Sequence, residues 1–195
     1  MATPERLLVL YTGGTIGMGD TPHGLGPVDG LVEAAVETRL PRGIRLTTRV
    51  FAPLLDSADV GPAHWNRMLD LIDDQPGTPV IVTHGTDTIE ETAYFLNLVL
   101  KSEKPVVVVG SMRPGTALGA DGALNLYDAV LVAGSKEAAG KGTLVVMNDE
   151  IHSGRDVTKS NTFKVETFRS PYGPLGYVVE NKLSFYRLPA RPHTT

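Results

Sequence analysis

The sequence predicts an α/β protein with a mostly parallel sheet, and three observations carry that expectation. Short, solidly apolar runs at 7–11, 79–83, 105–109 and 143–147 look like strands buried on both faces. Segments with helical apolar spacing lie between such runs, which makes βαβ units. Each run ends in small polar or charged residues. If the runs are parallel, all those endings open on one edge of the sheet, the edge where open α/β sheets bind ligands.

The elements follow in order. Residues 7–11 are the first strand, ending in Thr12-Gly13-Gly14-Thr15-Ile16-Gly17. Residues 28–40 carry Leu31, Val32, Ala35, Val36 and Leu40 at helical spacing and stop at Pro41. Residues 45–51 are β-rich and lead to Asp56 and Ser57. Residues 62–74 place Trp65, Met68, Leu69 and Ile72 on one helical face. The strand at 79–83 ends in His84-Gly85-Thr86-Asp87-Thr88. A helix over 88–100 follows, and Asp87-Thr88-Ile89-Glu90 fits a capping box with Asp87 as the N-cap. The strand at 105–109 delivers Ser111 and Arg113, and a helix over 122–133 leads to the strand at 143–147. That strand delivers Asn148, Asp149, Arg155 and then Lys159. The later pieces at 154–157, 162–165, 176–179 and 182–186 read as antiparallel additions and loops, with hairpin-like spacing around Glu180-Asn181. Residues 188–195 read as a linker.

Composition narrows the function classes. A chain of 195 residues suits one domain. Net charge −4, without a basic run, argues against a nucleic-acid partner. The chain has no cysteine, so disulfides, thiolate metal sites and cysteine nucleophiles are excluded. No apolar run approaches the roughly 20 residues that span a bilayer, so no membrane association is expected. Met1-Ala2-Thr3-Pro4-Glu5-Arg6 does not resemble a signal peptide, and a cytoplasmic location is the expectation.

Cofactor signals are missing too. There is no G-x-G-x-x-G and no phosphate loop, and no serine sits in a G-x-S-x-G elbow. His23, His64, His152 and His193 are scattered, without a zinc-like pair. No cofactor and no metal are therefore expected. His84 reads as a hydrogen-bonded turn histidine, Trp65 as core, and Tyr11 and Tyr172 as packing residues. What remains on the sheet edge is hydroxyls, a carboxylate and a lysine. A threonine hydroxyl is a poor nucleophile unless something takes its proton. A lysine can do so when partly neutral, and a nearby carboxylate orients the amine. A Thr–Lys–Asp chain is thus a plausible proton relay, with backbone N–H groups near Gly14 and Gly85 as oxyanion donors. Spacing alone favours turn roles for Thr12 and Thr15 over a nucleophile's role, and does not choose between them.

The motifs resemble the bacterial-type L-asparaginases, including the glutaminase-asparaginases. Thr12-Gly13-Gly14-Thr15-Ile16-Gly17 looks like the first signature of that family and His84-Gly85-Thr86-Asp87-Thr88-Ile89 like the second. Gly110-Ser111-Met112-Arg113-Pro114, Asp121-Gly122-Ala123-Leu124-Asn125-Leu126 and Gly154-Arg155-Asp156-Val157-Thr158-Lys159 continue the likeness. The resemblance implies a flavodoxin-like three-layer sandwich. It implies hydrolysis of L-asparagine, with L-glutamine as the alternative, by a homo-oligomer (dimer or tetramer). Thr15 would be the nucleophile, and Thr86, Asp87 and Lys159 the second catalytic group. Asp56, Ser57, Thr86, Asp87, Gly14, Gly85 and Ser111 would bind substrate. A mobile lid would span 17–28.

Three departures stand out. Leu25 occupies the place of a lid tyrosine, and Ala58 that of a glutamine after the substrate serine. The family also carries a smaller C-terminal domain that completes a neighbouring subunit's active site. Here residues 1–187 match the N-terminal domain and 188–195 the linker onward. Two other readings are a weakly active amino-acid-binding fragment and the amidase subunit of a tRNA-dependent amidotransferase.

Overall fold

In the computed structural model, which describes residues 5–28, 30, 34, 36–37, 39–191 and 193, five parallel strands make up one side of an eight-stranded sheet, out to its edge. They are β1 (Arg6–Gly13), β4 (Arg45–Leu55), β5 (Val80–Thr83), β6 (Val106–Val109) and β7 (Thr143–Met147). β1 lies between β4 and β5, and β6 and β7 follow outward from β5. Numbered among themselves in chain order, these strands run 2-1-3-4-5, the flavodoxin-like arrangement.

Period-2 alternation sends successive side chains to opposite faces. Leu7, Val9, Ile81, Val107, Val109, Leu144 and Val146 join one core. Leu8, Leu10, Val80, Val82, Val106, Val108, Val145 and Met147 join the other. The first core is covered by α3 (Gly122–Ala133), through Leu126, Ala129, Val130 and Ala133. The second is covered by α1 (Pro62–Asp73) and α2 (Ile89–Val99), through Met68, Ile72, Ala93 and Leu96. Helices on both faces make the three expected layers. The helix expected over 28–40 lies partly outside the described residues; Val36 is described and fully buried in the first core.

Beyond β7 the chain reverses. Asn148 and Asp149 both take left-handed backbone (φ 54° and 63°) and return it into β8 (Glu150–Ser153), antiparallel to β7. Two such residues between antiparallel strands are what a tight type I′ hairpin demands. In the sequence these two residues stand out only as polar groups at a strand end. The expected turn at Glu180-Asn181 has the same geometry (φ 51° and 63°) and joins β11 (Gly176–Val179) to β12 (Lys182–Phe185). The pieces expected at 154–157 and 162–165 are not strands. In their neighbourhood stands a two-residue ribbon, β9 (Thr158–Lys159) with β10 (Phe168–Arg169), outside the main sheet.

Residues 18–27 form a hairpin, β2 (Met18–Thr21) with β3 (Gly24–Pro27). It is tied to the loop after β6: the Gly115 N–H donates to the Met18 carbonyl at 2.8 Å, and the Asp20 N–H to Thr116 Oγ1 at 3.1 Å. Tyr172, expected to pack, is 78% exposed, with the Arg187 guanidinium 5.8 Å from its ring centre.

Candidate active site

The ends of β1, β4 and β5 meet where the strand order reverses, and there they enclose a cleft of about 450 Å³. Gly13, Gly14 and Thr15 line it after β1, Asp56 and Ser57 after β4, and Gly85, Thr86 and Asp87 after β5. Lys159 and Thr162 reach in from the β9–β10 ribbon, Met18 and Pro27 from the hairpin, and Met112 from the loop after β6. A ligand crevice at the topological switch point is where an open α/β sheet places one.

Glycines let the three loops interlock. A Cβ on Gly14, whose φ is +87°, would fall 2.5 Å from the Gly85 nitrogen. A Cβ on Gly85 would fall 2.6 Å from the Ser57 Cβ. Neither contact tolerates a side chain, so the backbones of all three strand ends border one small space.

The two threonines of the first loop separate. Thr12 is buried and its hydroxyl donates to the Thr83 carbonyl at 2.6 Å, bridging β1 to β5. Thr15, at the start of a 3₁₀ turn (Thr15–Gly17), lines the cleft.

Lys159 joins the third loop. Its Nζ donates to Thr86 Oγ1 at 3.0 Å and to Asp87 Oδ1 at 2.6 Å. The lysine side chain is 12% exposed, the aspartate 71%. Asp87 is therefore not the N-cap expected of it. Thr88 occupies that position, makes no side-chain cap, and donates its hydroxyl to the Ser57 carbonyl at 2.6 Å. Glu90, the other half of the expected capping box, turns to the ribbon instead. Its carboxylate accepts from Thr158 Oγ1 at 3.0 Å and from the Lys159 N–H.

A buried relay stands behind the third loop. The Trp65 indole N–H donates to Thr92 Oγ1 at 2.9 Å, and Thr92 in turn donates to His84 Nε2 at 2.9 Å. His84 Nδ1–H donates to the Gly85 carbonyl at 2.8 Å, because a carbonyl can only accept. Burial pushes the His84 pKa below its ordinary value, against the Gly85 hydrogen bond, which favours the charged ring. The turn role expected for His84 agrees with this; Thr92 as its partner was not visible in local spacing.

A second bracket fixes the loops after β6 and β7. The Asp121 carboxylate accepts from the Met112 and Arg113 N–H groups, both at 2.9 Å. Asn125 donates to the Gly110 carbonyl at 3.0 Å and accepts from the Asn148 N–H at 2.9 Å. Ser111, named above as a substrate-binding candidate, is fully buried, and its hydroxyl donates to the Arg113 carbonyl at 3.0 Å. It does not border the cleft. Asp56 borders it while its Oδ1 caps the next turn, accepting from the Ala58 N–H at 3.0 Å. Leu25 is 52% exposed on β3 and stays outside the lining. Among the described residues, no group of three or more histidine, aspartate or glutamate side chains is placed to hold a metal ion.

A flavodoxin-like sheet with hydroxyls, a lysine and two carboxylates gathered at its switch point defines a class of small-molecule site. Comparison narrows the class. The family description "Asparaginase, N-terminal" matches residues 6–191, and the chain belongs to that family. It is 64% identical over 128 residues to the glutaminase-asparaginase of Pseudomonas fluorescens biotype A, a match covering 66% of this chain and 35% of that protein. It is 44% identical over 199 residues to a probable periplasmic L-asparaginase of Haemophilus influenzae, covering 97% of this chain and 56% of that one. Among solved structures, the probable cytoplasmic L-asparaginase of Campylobacter jejuni superposes with a TM-score of 0.86 at 42% identity, over 95% of this chain and 58% of that one. The chain thus spans well under two thirds of these relatives' lengths.

Proposed function

We propose that this cleft hydrolyses the side-chain amide of L-asparagine to L-aspartate and ammonia, with L-glutamine as the alternative substrate. The observation that carries the reading is the Lys159 Nζ held on Thr86 Oγ1 and Asp87 Oδ1 beside a cleft that Thr15 lines. In the first half-reaction the Thr15 oxygen bonds to the amide carbon, the C–N bond breaks, and the nitrogen leaves as ammonia carrying the threonine's proton. In the second, water attacks the Thr15 ester, its hydroxyl staying on the carbon and its proton returning to Thr15. Thr86 and Lys159 pass the proton in each half, and Asp87 orients the amine. Backbone N–H groups near Gly14 and Gly85 face the developing oxyanion. Ser57, Asp56 and Asp87 hold the amino-acid end of the substrate.

One methylene in a pocket is worth only about 1–3 kcal/mol, so both amides are to be assayed. The wild-type chain is expected to release ammonia from one or both. Thr15→Ala and Lys159→Met should lower that rate by roughly a thousandfold or more. Full activity in Thr15→Ala would eliminate the acyl-threonine route. A chain that binds amino acids but releases no ammonia, even at high protein concentration, would establish the binding-only reading instead; the partial coverage of the relatives favours keeping it in view.

Residues 1–187 are proposed as the N-terminal α/β domain, and 188–195 as the linker to a smaller C-terminal domain such as the extra length of the relatives would supply. A homo-oligomer, dimer or tetramer, is proposed on the exposed Leu118, Tyr186 and Leu188. Cytoplasm is proposed on the likeness to the Campylobacter protein, with cell fractionation as its test. No described helix is long and apolar enough to cross a membrane.

A further inference from the structure

We propose that Glu90 is the positioning residue for Lys159, an inference that rests on the amide-hydrolysis reading above. The main sheet does not hold Lys159. β9 is two residues long, pairs only with the equally short β10, and joins no strand of the eight-stranded sheet. The Ser160 N–H adds one bond to the Thr167 carbonyl at 2.8 Å, and Val157 and Phe168 seat the ribbon in the second core, yet none of these contacts is at Lys159's own N–H or amine, which proton transfer needs placed to a fraction of an ångström.

Glu90 supplies the missing anchor. It follows Ile89, which is fully buried, in the first turn of α2, so its backbone is fixed by the core. One carboxylate oxygen accepts from Thr158 Oγ1 at 3.0 Å and the other from the Lys159 N–H. Hydrogen bonds to a carboxylate are about twice as strong as neutral ones. At the far end of the same lysine, Nζ meets Thr86 and Asp87. A single stretch, residues 86–90, therefore grips Lys159 by both backbone and ammonium. Both ends of the lysine are thus referred to the same short stretch of chain, which carries the Thr86 hydroxyl as well.

The simpler role for Glu90 is an acidic residue stabilising a helix N-terminus, worth about 0.3–1 kcal/mol. That role moves stability and leaves the turnover of folded protein unchanged. The positioning role moves kcat. The experiment measures kcat, KM and melting temperature for wild type, Glu90→Ala and Glu90→Gln, with hydrogen exchange at the Lys159 amide.

In Glu90→Ala, kcat is expected to fall roughly tenfold to a hundredfold, with KM changed far less, because an ångström of misplacement costs about that much. The Lys159 amide should exchange faster in Glu90→Ala than in wild type. Glu90→Gln keeps an acceptor for the Lys159 N–H, and its amide group can donate to Thr158 Oγ1, so it should recover most of kcat. Should Glu90→Ala not fold, Glu90→Asp takes its place, since its carboxylate is one methylene short of both donors. The proposal is overturned by an unchanged kcat with an unchanged Lys159 exchange rate, or by Glu90→Gln being as impaired as Glu90→Ala. A wild-type chain that releases no ammonia would refute the functional reading alone; the exchange rates would still decide the anchoring.

Discussion

A methyl group is the smallest probe of the cleft, and Gly14 is where it bites hardest. Alanine there would need φ near +87° and would push its Cβ to 2.5 Å from the Gly85 nitrogen. Backbone strain of about 1–3 kcal/mol follows. Gly14→Ala should melt several degrees lower and lose ammonia release out of proportion to the fraction unfolded, as a thermal melt and an assay on folded protein would report. Other residues were legible from position alone. Thr15, Ser57, Thr86 and Asp87 follow strand ends, and parallel strands must deliver their ends to one edge. Ser111 follows a strand end as well, yet its hydroxyl turns inward onto the Arg113 carbonyl, because strand periodicity says nothing about side-chain direction once the strand has ended. Asp87 was misread as a cap for a related reason. Local spacing shows the helix start, but the competing partner, Lys159, lies far along the chain.

Among the elements, helix α3 does more than cover a core. Asn125 on its inner face ties the ends of β6 and β7 together, through the Gly110 carbonyl and the Asn148 N–H, and donates a further bond to Asp121 at 3.0 Å. Its side chain is almost fully buried. Asn125→Ala takes the side-chain partner from the Gly110 carbonyl and the Asn148 N–H, and each such bond costs about 1–3 kcal/mol when left unmade. The urea midpoint should drop sharply, and a midpoint within error of wild type would contradict the bracket. The apolar strands and three of the helices could be read from the sequence because core burial writes a period into it. The β9–β10 ribbon could not, since two-residue strands have no period and Glu90 holds them across a long stretch of chain. The tight turn at Asn148-Asp149 was missed for another reason: the same polar residues serve equally as strand-end site candidates.

At the scale of the whole molecule, two buried groups pull the pH dependence of stability in opposite directions. Burial, helped by the neighbouring Asp149, lifts the Asp128 carboxyl from 3.8 to about 7. Between those values the folded state keeps a proton that the unfolded chain has released, so stability falls as pH rises. Burial also lowers His152 from 6.5 to about 4. Over that window the unfolded chain binds a proton that the folded state refuses, so stability falls as pH drops. From about pH 4 to 6.5 the two offset each other. Asp128→Asn removes one side of the balance. Its urea midpoint should decline more steeply than wild type on acidification from pH 6.5 to 4, and parallel profiles would refute the assignment.

The indole of Trp65 belongs to this scale too. It is the chain's one tryptophan, and three hydrogen bonds, through Thr92 and His84, link its N–H to the carbonyl of Gly85, a residue of the cleft lining. The molecule is therefore expected to carry its own optical gauge: a ligand that shifts the Gly85 peptide should change the polarity felt by the one indole, and ultraviolet emission titrated with either amide checks it without any dye attached.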